Sequence, residues 1–130
     1  MKKIMAGLLT LSALTLGLQA YDQAERIQDM QTMEISMAEI QRGILYNNKT
    51  MVLKGVESLK KTSSKVEVSK KDDMDYSASF AKKQTANIIR YADKLQANIE
   101  ANQKHAATTN YTKVLNQCVS CHNKIRKWNQ

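Results

Sequence analysis

The chain has 130 residues, no proline, four glycines and a formal charge of +8. This length allows one domain and excludes a TIM barrel or a complete dinucleotide-binding fold. Because β-sandwiches and barrels need many turns, and turns favour Gly and Pro, the composition predicts a helical protein.

Residues 1–20 have the pattern of a secretory signal peptide. Two lysines precede an apolar run over residues 4–18, and the small residue Ala20 follows. The run has 15 residues, whereas a transmembrane helix needs about 20, so an uncleaved anchor is the weaker interpretation. We expect cleavage after Ala20, export to the periplasm without stable membrane insertion, and a mature domain over residues 21–130.

The mature chain stays basic, with a formal charge of +6 after two lysines leave with the signal. A basic protein can bind nucleic acid, but an exported one rarely meets it, so we expect no nucleic-acid partner. The positive residues are spread along the chain, except at Lys60–Lys61 and between Lys65 and Lys71. The second run predicts either a solvated loop or a docking surface steered toward an acidic partner.

Apolar spacing predicts four helices. The first covers residues 22–46, and from Met30 onward its apolar positions alternate between steps of three and four, as in a coiled-coil seam. The second covers residues 50–62. Residues 63–76 are charged and irregular, which predicts a loop.

The third helix is predicted over residues 77–102, with Asp73 or Asp75 as its N-cap. A polar connection that contains His105 follows, and the fourth helix is predicted over residues 109–128. Its inner side is predicted to carry Tyr111, Val114, Leu115, Cys118, Cys121, His122, Ile125 and Trp128.

Four amphipathic helices with short first and last connections predict an all-α fold. The expected architecture is an antiparallel up-down-up-down four-helix bundle. A domain of this size has a small core that often needs an additional stabilising element. Cofactor sites are commonly built inside such bundles.

The two cysteines, Cys118 and Cys121, are followed directly by His122. This C-x-x-C-H string is the attachment signature of a c-type haem. Thiols one helical turn apart can add across the two vinyl groups of one porphyrin, and the adjacent imidazole can bind the iron. We therefore predict one covalent haem c, bound through both cysteines, with His122 as the proximal ligand.

Three other interpretations of the cysteine pair are weaker. A disulfide would close a short, strained loop inside a helix. A thioredoxin-like redox pair would follow a strand within a βαβ pattern, which the sequence lacks. A zinc site would need a fourth ligand besides the two thiols and His122, and only His105 is available.

The chain resembles the class II cytochromes c, which comprise cytochrome c′ and its low-spin relative cytochrome c-556. The C-x-x-C-H on the last helix is similar, as is the stretch after it, where Ile125 replaces the commoner Tyr or Phe and Arg126 follows. Arg26 and Met30 match the family's R-x-x-x-(Met or Leu) start of the first helix. The resemblance implies that Arg126 lies close to the haem and that Met30 occupies the family's ligand position.

The sixth iron ligand decides the function. Counting about 1.5 Å per residue, His122 lies roughly 9 Å before the end of the fourth helix and Met30 roughly 12 Å into the first. Met33, at roughly 16 Å, is a second candidate, and Met37, at roughly 22 Å, is predicted to fill the core. His105 could bind the iron only if its loop folded inward.

We therefore predict a periplasmic cytochrome that carries single electrons with His122/Met30 ligation and is not an enzyme. We expect its partners to be redox proteins with an acidic docking face, and the resemblance allows a homodimer. The alternative function is a five-coordinate cytochrome c′ that binds nitric oxide or carbon monoxide. A structural helical bundle with an incidental motif is the third interpretation.

Overall fold

The computed structural model describes residues 21–67 and 77–125. Within these ranges the protein is all-α, without strands, and forms the predicted four-helix bundle. None of the described helices is long and apolar enough to cross a membrane. The predicted signal peptide, Arg126 and Trp128 lie outside the described residues. The helices are α1 (Gln23–Leu45), α2 (Lys49–Ser63), α3 (Ala78–Glu100) and α4 (Lys104–Ile125).

The first two helices begin at side chains that cap them. The Asp22 carboxylate accepts a hydrogen bond from the backbone N–H of Glu25, whose own carboxylate accepts from the Asp22 N–H. Asn48 caps α2 by accepting from the Met51 N–H. The connection between the helices includes Asn47, which has a positive φ of 55°. This tight turn makes α1 and α2 antiparallel neighbours.

A glycine allows α1 and α2 to pack closely. A Cβ on Gly55 would lie 2.8 Å from Ile40 Cγ1 and 2.9 Å from the Ser36 carbonyl oxygen. The Ser36 hydroxyl donates across the same contact to Ser58 Oγ at 2.8 Å. The helix pair therefore depends on a small residue at position 55.

The third helix begins within one residue of the predicted start, but its N-cap is a different residue from the predicted one. Ser77 is the N-cap, because its hydroxyl accepts from the Phe80 N–H at 3.2 Å. The prediction of Asp73 or Asp75 as the cap is therefore wrong, and both residues lie outside the described ranges. Of the predicted loop over residues 63–76, residues 64–67 lie outside any helix and Ser63 still belongs to α2.

The fourth helix begins five residues earlier than predicted. The connection from α3 is short, contains Asn102 at a φ of 59° and ends before Lys104. The hydroxyls of Thr108 and Thr109 donate to carbonyls four residues earlier in the helix. This polar stretch is predicted as a connection. It is helical, and the threonine hydroxyls bond to the helix's own backbone. His105 is therefore a helical residue.

The core runs along the bundle axis between neighbouring helices. α1 packs along α2, α2 along α3, and α3 along α4, whereas α1 and α4 contact each other only in a few places. Lys60 and Asp93 form an ion pair between α2 and α3. The side of the bundle between α1 and α4 is therefore the least covered. The core residues are Met33, Met37, Ile40, Val52, Val56, Leu59, Ile88, Ala92, Leu95, Ile99, Ala107 and Val114.

Candidate haem site

The two cysteines lie one turn apart near the end of α4. Both are free thiols and both are half-buried, and Cys118 packs against the core. Burial, together with the nearby Cys121, raises the pKa of the Cys118 thiol to about 11, and burial also raises the pKa of Cys121. Redox-active cysteine pairs have a lowered thiol pKa, so this pair differs from a thioredoxin-like site.

The imidazole of His122 lies at the exposed edge of the same turn. Apolar side chains around it are also exposed, with 44% of Leu115, 46% of Val119 and 37% of Ile125 accessible. Leu115, His122 and Ile125 were predicted on the inner side of α4, and this prediction is wrong because all three are exposed. α1 and α4 contact each other only in a few places, so α1 leaves much of α4 uncovered.

The first turns of α1 also carry accessible apolar side chains. Ile27 is 51% exposed, and Met30 is half-buried and packs against the edge of the core. Apolar side chains that the fold leaves accessible can contact a bound group. The accessible or half-buried apolar side chains near the start of α1 and the end of α4 are Ile27, Met30, Leu115, Cys118, Val119 and Ile125.

A side-chain hydrogen bond joins α1 to α4 and gives a reference point for their relative level. The Tyr111 hydroxyl donates to Gln41 Oε1 at 3.2 Å. Met30 comes eleven residues before Gln41, and His122 comes eleven residues after Tyr111. Eleven residues make about three helical turns and span roughly 17 Å, and the two helices run in opposite directions. Met30 and His122 therefore lie at a similar level on the faces that carry the bonded pair.

The other two methionines of α1 lie in the core. Met37 is buried, as predicted. Met33, the second ligand candidate, is buried as well. The Met33 sulfur lies 4.0 Å from the Ser63 hydroxyl oxygen, so this thioether contacts α2. Of the three methionines, Met30 is the one that is only half-buried.

His105 lies far from the cysteine motif. It is exposed in the first turn of α4, 17 residues before His122, which is about 25 Å along the helix. It therefore cannot complete a zinc site with Cys118 and Cys121 or serve as the second iron ligand. In the ranges the structure describes, no three His, Cys, Asp or Glu side chains converge on a possible metal position.

The spacing placed Gln84 in the apolar stripe of the third helix, but no functional role was predicted for it. Gln84 on α3 is 8% exposed, and its Oε1 atom has no hydrogen-bond partner. Its position in the apolar spacing of α3, between Phe80 and Ile88, was the available signal. A polar residue inside an apolar stripe indicates either a structural hydrogen bond or a functional contact.

These residues fit a covalently bound haem. Two thiols one turn apart can form two thioethers, the adjacent imidazole can bind iron, and helix geometry puts Met30 of α1 at a similar level. The uncovered apolar side chains would lie against a large apolar ring. Comparisons with protein-family models, curated proteins and solved structures find no match to this chain.

Proposed function

We propose that this protein is a periplasmic electron carrier of the class II cytochrome c type. Cys118 and Cys121 would hold one haem c, and His122 and Met30 would bind its iron. The observation that carries this proposal is the bond from Tyr111 to Gln41, which puts Met30 and His122 at a similar level on facing helices.

Each residue of the motif has a distinct task. Each cysteine S–H would add across one vinyl C=C bond to give a thioether, and no atom is lost. The bound haem supplies a one-electron Fe(III)/Fe(II) couple. The neutral imidazole of His122 is a good nitrogen donor to iron, and the soft thioether of Met30 favours the ferrous state.

Buried core side chains lie beside the proposed ligands on both helices. Val114 is fully buried one turn before Cys118, and Met37 is buried two turns after Met30. With the sixth position filled by Met30, no substrate could reach the iron. The proposed activity is therefore electron transfer and not bond chemistry.

The charge of the protein supports docking to an acidic redox partner. The chain is strongly basic, and the exposed Lys124 follows His122 by two residues. Opposite charge accelerates encounter more than it strengthens the complex, which suits a carrier that must release its partner quickly. The rate of electron transfer to an acidic partner should fall as salt is added.

The direct test is the mass of the mature chain. The full chain is produced in a bacterial host that exports it and carries the haem-attachment machinery. We expect the mass of residues 21–130 plus one haem, which also tests cleavage after Ala20. The matched control carries Cys118→Ser and Cys121→Ser and should have the mass of its own substituted chain, without haem. A wild-type mature chain without haem would refute the proposal and favour a structural bundle.

A further inference from the structure

The amide of Gln84 is buried in a way that the bundle itself does not explain. Its Oε1 atom is the one buried side-chain oxygen or nitrogen without a partner in the described ranges. Other buried polar side chains are bonded: Ser63 donates to the Leu59 carbonyl, and Asp29 accepts from Tyr21. A buried acceptor without a donor destabilises the fold, so such a residue calls for a compensating role.

Two contacts between α3 and α4 locate Gln84 relative to the cysteine motif. Asn87 donates to Gln117 Oε1 at 3.2 Å, and the Lys124 ammonium lies 5.9 Å from the centre of the Phe80 ring. Gln84 lies between the two α3 residues of these contacts. Because the helices are antiparallel, the midpoint on α4 falls at Ser120 and Cys121. Gln84 is therefore level with the turn that carries the motif.

The burial of Gln84 puts it on the interior side of that level. It belongs to the same buried stripe of α3 as Ala81 and Ile88, and the half-buried Cys121 lies at the same level on α4. On α1, Met30 lies at a similar level, since it is level with His122. A group held by Cys118 and Cys121 inside the bundle would therefore have Gln84 as a polar neighbour on the α3 side.

We propose that the amide oxygen of Gln84 faces the haem and lowers the reduction potential of its iron. This inference rests on the proposed function. The oxygen is the negative end of the amide dipole, and it interacts more strongly with a charge in a dry interior than it would in water. It favours the ferric state, which carries one more positive charge than the ferrous state.

The test measures the reduction potential of the haem-loaded full protein with two substitutions of opposite expected sign. Gln84→Leu removes the dipole and should favour reduction by at least tenfold in the equilibrium constant, which is about 59 mV for one electron. Gln84→Glu, measured at pH 9 so that the introduced carboxylate is ionised, should favour oxidation. The matched controls are Gln96→Leu and Gln96→Glu, because Gln96 lies about 18 Å farther along α3. They should change the equilibrium constant for reduction less than twofold.

The sign of the two shifts separates this role from a structural one. A packing defect at position 84 would shift the reduction potentials of both variants in the same direction, or would shift neither. Shifts in the same direction, or changes below twofold in either Gln84 variant, would overturn the inference. If Gln84→Leu does not accumulate, the test rests on Gln84→Glu alone. A lower reduction potential than that of Gln96→Glu then supports the inference, and an equal or higher one overturns it.

Failure of the proposed function is recognised separately. A wild-type chain whose mass contains no haem overturns both the electron-carrier proposal and the role of Gln84. A chain that carries haem, with potentials that do not respond to position 84, overturns the role of Gln84 alone.

Discussion

The Tyr111 hydroxyl donates a hydrogen bond to Gln41 Oε1 at 3.2 Å and thereby joins α4 to α1. The two helices contact each other only in a few places, and this bond is one of the links between them. Met30 comes eleven residues before Gln41, and His122 comes eleven residues after Tyr111, so the two residues lie at equal distances from the bonded pair on antiparallel helices. The proposed iron ligation depends on this relationship.

Loss of this bond should weaken the junction between α1 and α4. We expect Tyr111→Phe to lower the free energy of unfolding by about 0.5–1.5 kcal/mol, the usual net contribution of one hydrogen bond. Urea unfolding of the haem-loaded protein measures the change. Tyr46→Phe is the control, because Tyr46 is 73% exposed and should tolerate the same substitution. Equal stabilities of the two variants would show that the bond does not support the junction.

Removal of the Met30 thioether should open the iron to gases. We expect Met30→Leu to leave the sixth position empty, so that the ferrous protein binds carbon monoxide while the wild type does not. The measurement is the change in the ferrous absorption spectrum when carbon monoxide is added. Leucine has a similar volume to methionine, so the fold should lose less than about 1.5 kcal/mol.

Met37→Leu is the matched control for that experiment. The substitution is the same, and Met37 lies on the same helix but in the buried core. It should remain inert to carbon monoxide. If the wild type itself binds carbon monoxide readily and Met30→Leu changes nothing, the protein is a five-coordinate cytochrome c′ and Met30 is not a ligand.

Close packing of α1 on α2 should not tolerate a methyl group at position 55. The added Cβ of Gly55→Ala would meet Ile40 Cγ1 at 2.8 Å and the Ser36 carbonyl oxygen at 2.9 Å. We expect a loss of about 1–3 kcal/mol of stability, the range for overpacked sites. The neighbouring exposed substitution Lys54→Ala should stay within about 0.5 kcal/mol of the wild type in the same urea titration.

The contact of Tyr21 with Asp29 should make stability sensitive to alkaline pH. Burial and the hydrogen bond to the Asp29 carboxylate raise the pKa of the Tyr21 phenol well above its usual value of 10.0. The fold therefore favours the protonated phenol, and the resulting stability is complete below pH 10 and decreases as the pH rises above it. The unfolding temperature of Tyr21→Phe should therefore decrease less between pH 9 and pH 12 than that of the wild type. Parallel decreases in both proteins would count against this contact.

Helices could be predicted from the sequence where a capping side chain or the apolar spacing marks their ends. Asp22 precedes the first helix, and polar Asn47 and Asn48 separate it from the second, so both helices were located within a residue or two. The start of α4 was missed because polar residues such as Thr108 and Thr109 resemble a loop until their hydroxyls are seen to bond within the helix.

The candidate site was predictable as a motif but not as a surface. Spacing alone located Cys118, Cys121 and His122. Helical periodicity could not show that Leu115 and Ile125 would stay uncovered, since that depends on how far α1 lies from α4. The unpartnered amide of Gln84 is likewise a tertiary property, because its neighbours come from another helix.

The absorption spectrum of the exported, haem-loaded protein tests the central claim most directly. Ligation by His122 and Met30 predicts a low-spin ferric spectrum with the weak long-wavelength band of methionine–iron coordination, and a ferrous spectrum that carbon monoxide leaves unchanged. A high-spin ferric spectrum, with a ferrous form that binds carbon monoxide, would contradict the account.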